Sequence, residues 1–291
     1  MSFSLNTNMN SSTALQLLNE TGRSLSTNQR RISSGLSVSS TIDDSATFTI
    51  AQNLRSDVTG LKAVTSSLNR AKAVTDVAIS GVEQISDVLT EMRAKATQAS
   101  DDGVDSASRA AINKDFVNLR DQITSIVRSS VFSGTNILKT NTGLDGKVTA
   151  LSSLVNINAT PATAYTPDTL TVNNLDLDLG SSTGVFASIT ATSDITTSAL
   201  AQAMVRTIET AQTALGAKLG DLGAASRQIE RQSITSSKLS DVIEGGIGKL
   251  VDADLAKESA RLQALQVKQQ LGIQALSIAN QAPQAITGLF R

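Results

Sequence analysis

The sequence predicts a mainly α fold: a long antiparallel coiled-coil-like helical bundle, a small β-hairpin region at its outer tip, and a terminal two-helix coiled coil. Three observations lead there. One alternating four-three apolar repeat holds over about 50 residues. Only 3 of the 291 residues are proline, which leaves room for very long helices. Hydrophobic residues make up 40% of the chain but aromatic residues only 2%, so the core must be aliphatic and alanine-rich, as where helices pack closely.

The first helical pattern covers residues 10–38. Leu18, Leu25 and Ile32 repeat every seven, flanked by Leu15 and Leu36. Serine, threonine and asparagine dilute this stripe, so the helix is marginal alone. The second pattern is the strongest. Ile50, Leu54, Leu61, Val64, Leu68, Ala71, Thr75, Ala78, Val82, Ile85, Leu89, Met92, Ala96 and Ala99 share one seam, whose only charge is Asp57. At 1.5 Å per residue such a helix is roughly 75 Å long and needs equally long partners. Gly60 and Gly81 should each weaken it by about 1 kcal/mol relative to alanine. Asp101-Asp102-Gly103 reads as a turn. Ile112, Phe116, Leu119, Ile123 and Ile126 then define a shorter helix, folding back antiparallel, with Ser106 as its N-cap.

Residues 133–193 change character. Gly134, Gly143, Gly146, Gly180 and Gly184 fall here with Pro161 and Pro167, and alternation in TLTVNNLDLDLG and GVFASITA predicts strands or hairpins. From about Asp194 the four-three seam returns through Met204, Ile208, Ala211, Leu215, Leu222, Ala225, Ile229, Leu239 and Ile243, interrupted by Lys218, Gln232 and Ser236. Its length makes it the partner of the helix at 50–99. Gly245, Gly246 and Gly248 read as an inter-domain joint. A last helix carries Leu255, Leu262, Leu265, Leu271, Leu276 and Ile278 on a broad apolar stripe, and Pro283 marks its expected end.

The layout is symmetric about the middle. It predicts an inner terminal domain from 1–40 plus 249–291, a long-helix domain from 41–132 plus 194–248, and a short outward β-rich region at 133–193. The chain ends should lie together at one end of a rod. Poorly packing terminal helices need an outside surface, and their apolar residues point to another copy of this chain.

Composition excludes much. With no His and no Cys, Ser-His-Asp triads, Cys nucleophiles, disulfides and ordinary zinc sites are absent. Carboxylate pairs or a Ser-Lys dyad stay formally open, but no catalytic site, metal or cofactor is expected. With 25 basic and 26 acidic residues, the net charge is −1, and with few aromatics this argues against nucleic-acid binding. Apolar runs fall short of a membrane span, so no membrane insertion is expected. The start, MSFSLNTNMNSS, has neither the basic nor the apolar region of a cleavable signal, leaving export by another route. Gly245-Gly246-Ile247-Gly248-Lys249 fails as a phosphate loop, because Ile243 and Leu250 stand where glycine and serine or threonine are needed. Asp252-Ala253-Asp254 and Asp43-Asp44 read as acidic residues at helix starts rather than metal ligands. Asn10-Ser11-Ser12 fits the Asn-glycosylation pattern, a common triplet.

Both ends carry a more specific signal. RISSGLSVSSTIDDSATFTIAQNLRSDVTGLKAV, residues 31–64, resembles the amino-terminal pattern of bacterial flagellins, and VFSGTNIL, residues 131–138, resembles their Phe-Asn-Gly turn with Ser133 in place of asparagine. At the other end DADLAKE, QQLG and ANQAPQAITGLFR resemble the family's carboxyl terminus, including Asn280, Gln281, Pro283, Gln284, Leu289 and Arg291. The Gly-Gly-Ile-Gly stretch resembles the short alpha-proteobacterial type. The resemblance implies a structural subunit that polymerises into the extracellular filament of the flagellum used for swimming motility. Its terminal segments would be disordered in the monomer and pair as a coiled coil in the filament. Leu18, Leu25, Ile32, Leu36, Leu262, Leu265, Leu271, Leu276, Ile278, Leu289 and Phe290 would serve that assembly. Ile50, Leu54, Leu61, Leu68, Val82, Ile85, Leu89, Ile208, Leu215, Leu222 and Ile229 would pack the long helices.

Implied partners are further copies of the chain, a flagellin export chaperone, the type III flagellar export apparatus, the filament cap and the hook-associated junction proteins. Within LTEMRAKATQA, residues 89–99, Arg93 matches the patch sensed by the flagellin-specific Toll-like receptor. Ala94 and Lys95 depart from it, so weak recognition is expected. The short middle predicts a smooth surface whose serines and threonines could carry O-linked glycans. A hook–filament junction protein, a flagellin-scaffolded enzyme and a cytosolic coiled-coil scaffold are the alternatives. The second lacks the histidines of its metallopeptidase insert.

Overall fold

The computed structural model describes residues 8–139, 147–152 and 168–289. Its elements are α1 (Met9–Ser34), α2 (Ser45–Ala99), α3 (Ser106–Ser129), β1 (Lys147–Leu151), β2 (Thr169–Asn173), α4 (Ser198–Val251) and α5 (Leu255–Leu289). Each helix starts where a side chain can accept the amides left free in its first turn. Asn8 accepts from Ser11, Asp44 from Ala46 and Thr47, Thr197 from Leu200, and Asp254 from Ala256 and Lys257. For α3 the cap is Asp105, not Ser106. The Asp105 carboxylate accepts from the amides of Ala107 and Ser108, each at 2.9 Å. Gly35, at φ 71°, supplies the left-handed turn that ends α1.

The chain divides into two compact units, Thr59–Ser240 and the discontinuous pair Met1–Val58 with Asp241–Arg291. This two-part division differs from the three expected segments, since the β region and most of the long helices share one unit.

In the 59–240 unit the long helices run antiparallel. Arg93 pairs with Glu209 at 2.5 Å, and Gln212 donates to Thr90 and Ser226 to Asp76. Along α2, Leu61, Val64, Leu68, Ala71, Thr75, Ala78, Val82, Ile85, Leu89, Met92, Ala96 and Ala99 are all buried. Along α4, Met204, Ile208, Ala211, Leu215, Leu222 and Ile229 face them in the same core. α3 folds back on α2. Lys95 meets Asp115 at 2.7 Å, and Arg109 donates to the carbonyls of Ala99 and Asp101, closing the end of α2. Arg120 is buried on α3 and donates to Asp121 and to the carbonyl of Ser193.

β1 and β2 pair antiparallel, from Lys147 opposite Asn173 to Leu151 opposite Thr169. Val148, Ala150 and Val172 turn inward, while Thr149 and Thr171 are exposed. The expected strand at 184–191 does not form. Hydrogen bonds from Ala187 to Gly184 and from Ile189 to Phe186 make turns there, and Phe186 and Ile189 are both buried. The alternation of Leu175 and Leu177 does report burial, although they pair irregularly with Ile137 and Leu138. Gly143, Gly146, Pro161 and Pro167 lie outside the described residues.

Candidate assembly interface

Helices α1 and α5 pair antiparallel along a four-three seam. The shielded positions along it include Ser11, Ala14, Leu18, Thr21, Leu25, Asn28 and Ile32 on α1, and Glu258, Leu262, Leu265, Gln269, Gly272, Leu276 and Ala279 on α5. Ser11 donates to Asn280 at 2.7 Å, Leu18 packs over Gly272, and Asn28 donates to the carbonyl of Glu258 at 3.1 Å. Of the residues expected here, Leu18, Leu25, Ile32, Leu262, Leu265 and Leu276 line this seam.

Two do not. Leu271 is 57% and Ile278 68% exposed, because they lie on the opposite face of α5, with Val267. Leu36 lies beyond the end of α1 and joins a different cluster. Leu289 closes α5, and Phe290 lies outside the described residues.

Sequence reasoning missed the polar end of the seam. Asn28 and Glu258 are buried, and Asn28 also donates to the Glu258 carboxylate. Arg31 lies 3.6 Å from the other carboxylate oxygen. Extending the seam three residues beyond Leu25 and four before Leu262 would have found this pair.

α5 continues past Pro283 to Leu289, against the expected stop. Proline has no amide to give the carbonyl four residues back, which is that of Ala279. Asn8 Nδ2 donates to that carbonyl at 2.8 Å. The residue that caps α1 therefore also satisfies the group that Pro283 leaves free.

The two connections beside the helix pair are tied by backbone. Ser37 and Val38 donate to the carbonyl of Val251, and Ala253 donates to that of Gly35. Beneath them Ala51, Val58, Ile247 and Val251 form a small core with Leu36, Val38, Leu54 and Ile243. Ile50, expected in long-helix packing, is 52% exposed; the buried position is Ala51. The glycine joint also needs correction. α4 runs unbroken through Gly245, Gly246 and Gly248 to Val251, and the chain turns at Asp252–Asp254. Helical hydrogen bonding there outweighs the modest cost of glycine.

Asp43 and Asp44 are structural. Asp43 accepts from the hydroxyl and amide of Ser39 and from Ser40, which holds its carboxyl below the usual value. The Thr47 hydroxyl, and then its amide, does the same for Asp44. Among the described residues no cluster of acidic side chains could hold a metal ion, and no helix is long and apolar enough to cross a membrane. In the 59–240 unit a cleft of about 820 Å³ is lined by Thr90, Arg93, Ala94, Thr97, Gln98, Asp101 and Val104. Arg93 is engaged there by Glu209, and its neighbour in sequence Lys95 pairs with Asp115.

The described residues thus form an aliphatic helical chain whose two ends fall in one unit, with Val267, Leu271 and Ile278 of α5 exposed. The profile of the bacterial flagellin N-terminal helical region matches residues 5–142, and that of the C-terminal helical region matches residues 205–290. The chain belongs to the bacterial flagellin family, a family of structural proteins that form the extracellular flagellar filament. It is 42% identical to flagellin FljM of Caulobacter vibrioides over 288 residues, covering 99% of this chain and 98% of that one. It is 36% identical to a flagellin of Brucella melitensis, covering 99% of each. A solved Bacillus cereus flagellin aligns with a TM-score of 0.48 at 18% identity, over 59% of this chain and 88% of that one.

Proposed function

We propose that α1 and α5 drive polymerisation by folding together on a growing filament end. The observation that carries this is the second apolar face of α5, where Val267, Leu271 and Ile278 are exposed opposite the seam that meets α1. Ordering costs about 1–2 kcal/mol of backbone entropy per residue. Burial at roughly 25 cal/mol per Å² must exceed it. The α1–α5 seam contributes little toward this, since serine, threonine, glutamine and glycine occupy many of its positions. Neighbouring copies supply the remaining burial.

Seeded assembly tests the reading. Monomer mixed with short sheared filaments should elongate them into tubes visible by negative-stain electron microscopy. A chain lacking residues 260–291 should not elongate them, while its 59–240 unit keeps its helical circular dichroism. Filaments formed by the truncated chain would overturn the assignment.

The same reading extends to partners. The exposed α5 face is a surface for an export chaperone before assembly. The type III export apparatus, the filament cap and the hook-associated junction proteins follow from a filament subunit's route. Receptor stimulation should be weak because Ala94 and Lys95 alter the exposed patch beside Arg93. Full signalling by purified monomer in receptor-reporter cells would refute that.

A further inference from the structure

Charge is segregated within the terminal unit. Helices α1 and α5 carry Arg23, Arg30, Arg31, Lys257, Arg261 and Lys268 against Glu20 and Glu258. The adjoining stretches, residues 43–58 and 241–254, carry seven carboxylates against Arg55 and Lys249. Such an arrangement costs self-repulsion in each part unless opposite charge is brought to it.

On the basic side, Arg23, Arg31 and Arg261 line a cleft of about 260 Å³ with Ser24, Thr27 and Asn28. Among the described residues the only carboxylate lining it is Glu258, which Asn28 and Arg31 already hold. Among the described residues Arg23 and Arg261 have no acceptor, and Arg31 Nε is buried without one. On the acidic side, Asp43, Asp44 and Asp254 are committed to turn and cap bonds. Asp57 and Asp241 are exposed and, among the described residues, carry no hydrogen bond or ion pair.

We propose that the Arg23–Arg31–Arg261 cleft receives a carboxylate from the acidic stretch of a second copy of this chain, with Asp57 and Asp241 as its donors. This rests on the filament-subunit reading and specifies one contact within it. A guanidinium cluster matches a carboxylate in charge and geometry. Enclosed between subunits, the pairs would set which copies dock and in which register.

The experiment is a charge swap read by critical concentration in seeded assembly. Arg23→Glu with Arg261→Glu should raise it at least about tenfold, as should Asp57→Lys with Asp241→Lys. Arg23→Gln with Arg261→Gln should give a smaller rise, since neutral residues do not repel. All four reversals in one chain should return it to near the parent value. An equimolar mixture of the two double variants should co-assemble where neither does alone. Rescue also shows that the reversals had not merely unfolded the chain. Parent-like assembly of either double reversal would overturn the proposal, and so would the loss of assembly without rescue. Should the parent chain itself fail to elongate competent seeds, the subunit reading falls instead.

Discussion

Single side chains at helix ends and turns decide where this chain stops and starts. The Ser108 hydroxyl, and then its amide, holds the Asp105 carboxyl below its ordinary value, as Ser39 does for Asp43 and Thr47 for Asp44. A carboxyl depressed in the folded state adds stability that is complete above the ordinary value of 3.8. It is lost as the pH falls through the lower folded value. Melting followed from pH 7 into acid should show this loss, and Asp105→Asn, which still caps, should flatten part of it. At the tight turn Phe132–Thr135, Ser133 has φ 50° and Gly134 φ 80°. Asparagine tolerates such a φ better than serine, so Ser133→Asn should stabilise by up to about 1 kcal/mol in denaturant melts. Asn8→Ala should destabilise assembled filaments by roughly 1–3 kcal/mol per subunit, through a lost cap and an unpaired Ala279 carbonyl. A filament melting temperature unchanged from the parent would contradict that role.

At the level of helices, apolar spacing revealed the long elements and their pairing, but not the place where their packing changes. On α2 the shielded positions run Ala51, Leu54, Val58, Leu61, Val64 and Leu68, so two spacings of three meet at Leu61. On α4 they run Ile229, Gln232, Ser236, Ser240 and Ile243, with two spacings of four meeting at Ser236. Such phase shifts turn the buried stripe around the helix. They expose Ile50 and Leu239, which an unbroken repeat places inside. Both shifts lie beside the boundaries of the compact units, at 58/59 and 240/241. The turn of the buried stripe is thus written as shifts in spacing, whereas the glycines drew attention to the wrong place. Gly245 and Gly246 have open space where a Cβ would stand. Gly246→Ala should therefore stabilise α4 by about 0.5–1 kcal/mol in the monomer. A loss of helix by circular dichroism would restore the hinge reading. Gly81 behaves oppositely. A Cβ there would lie 2.4 Å from Ser130 Oγ and 2.9 Å from Leu138 Cδ1, so Gly81→Ala should cost stability despite its better helix propensity.

For the molecule, the terminal motifs and heptads made the helical architecture and the family legible. The β region was less so. Its burial alternates where no strand forms, because irregular pairing and turns can satisfy the same backbone groups. The polar seam of Asn28 and Glu258 was invisible for another reason: a search for leucines passes over buried amides and carboxylates. At this scale Leu271→Asp or Ile278→Asp should suppress elongation in the seeded assay while leaving monomer melting nearly unchanged, since both side chains are already in water. The α1–α5 pair also has a temporal consequence. Asn8 meets Ala279 across nearly the whole chain, whereas the 59–240 unit is one continuous stretch. During synthesis α1 emerges before α5 and must wait for it, so closing this pair comes after the stretch between them is made and carries a large loop-entropy cost. On the proposal that this pair joins neighbouring copies, a chain whose α5 has not yet been made cannot take part in assembly.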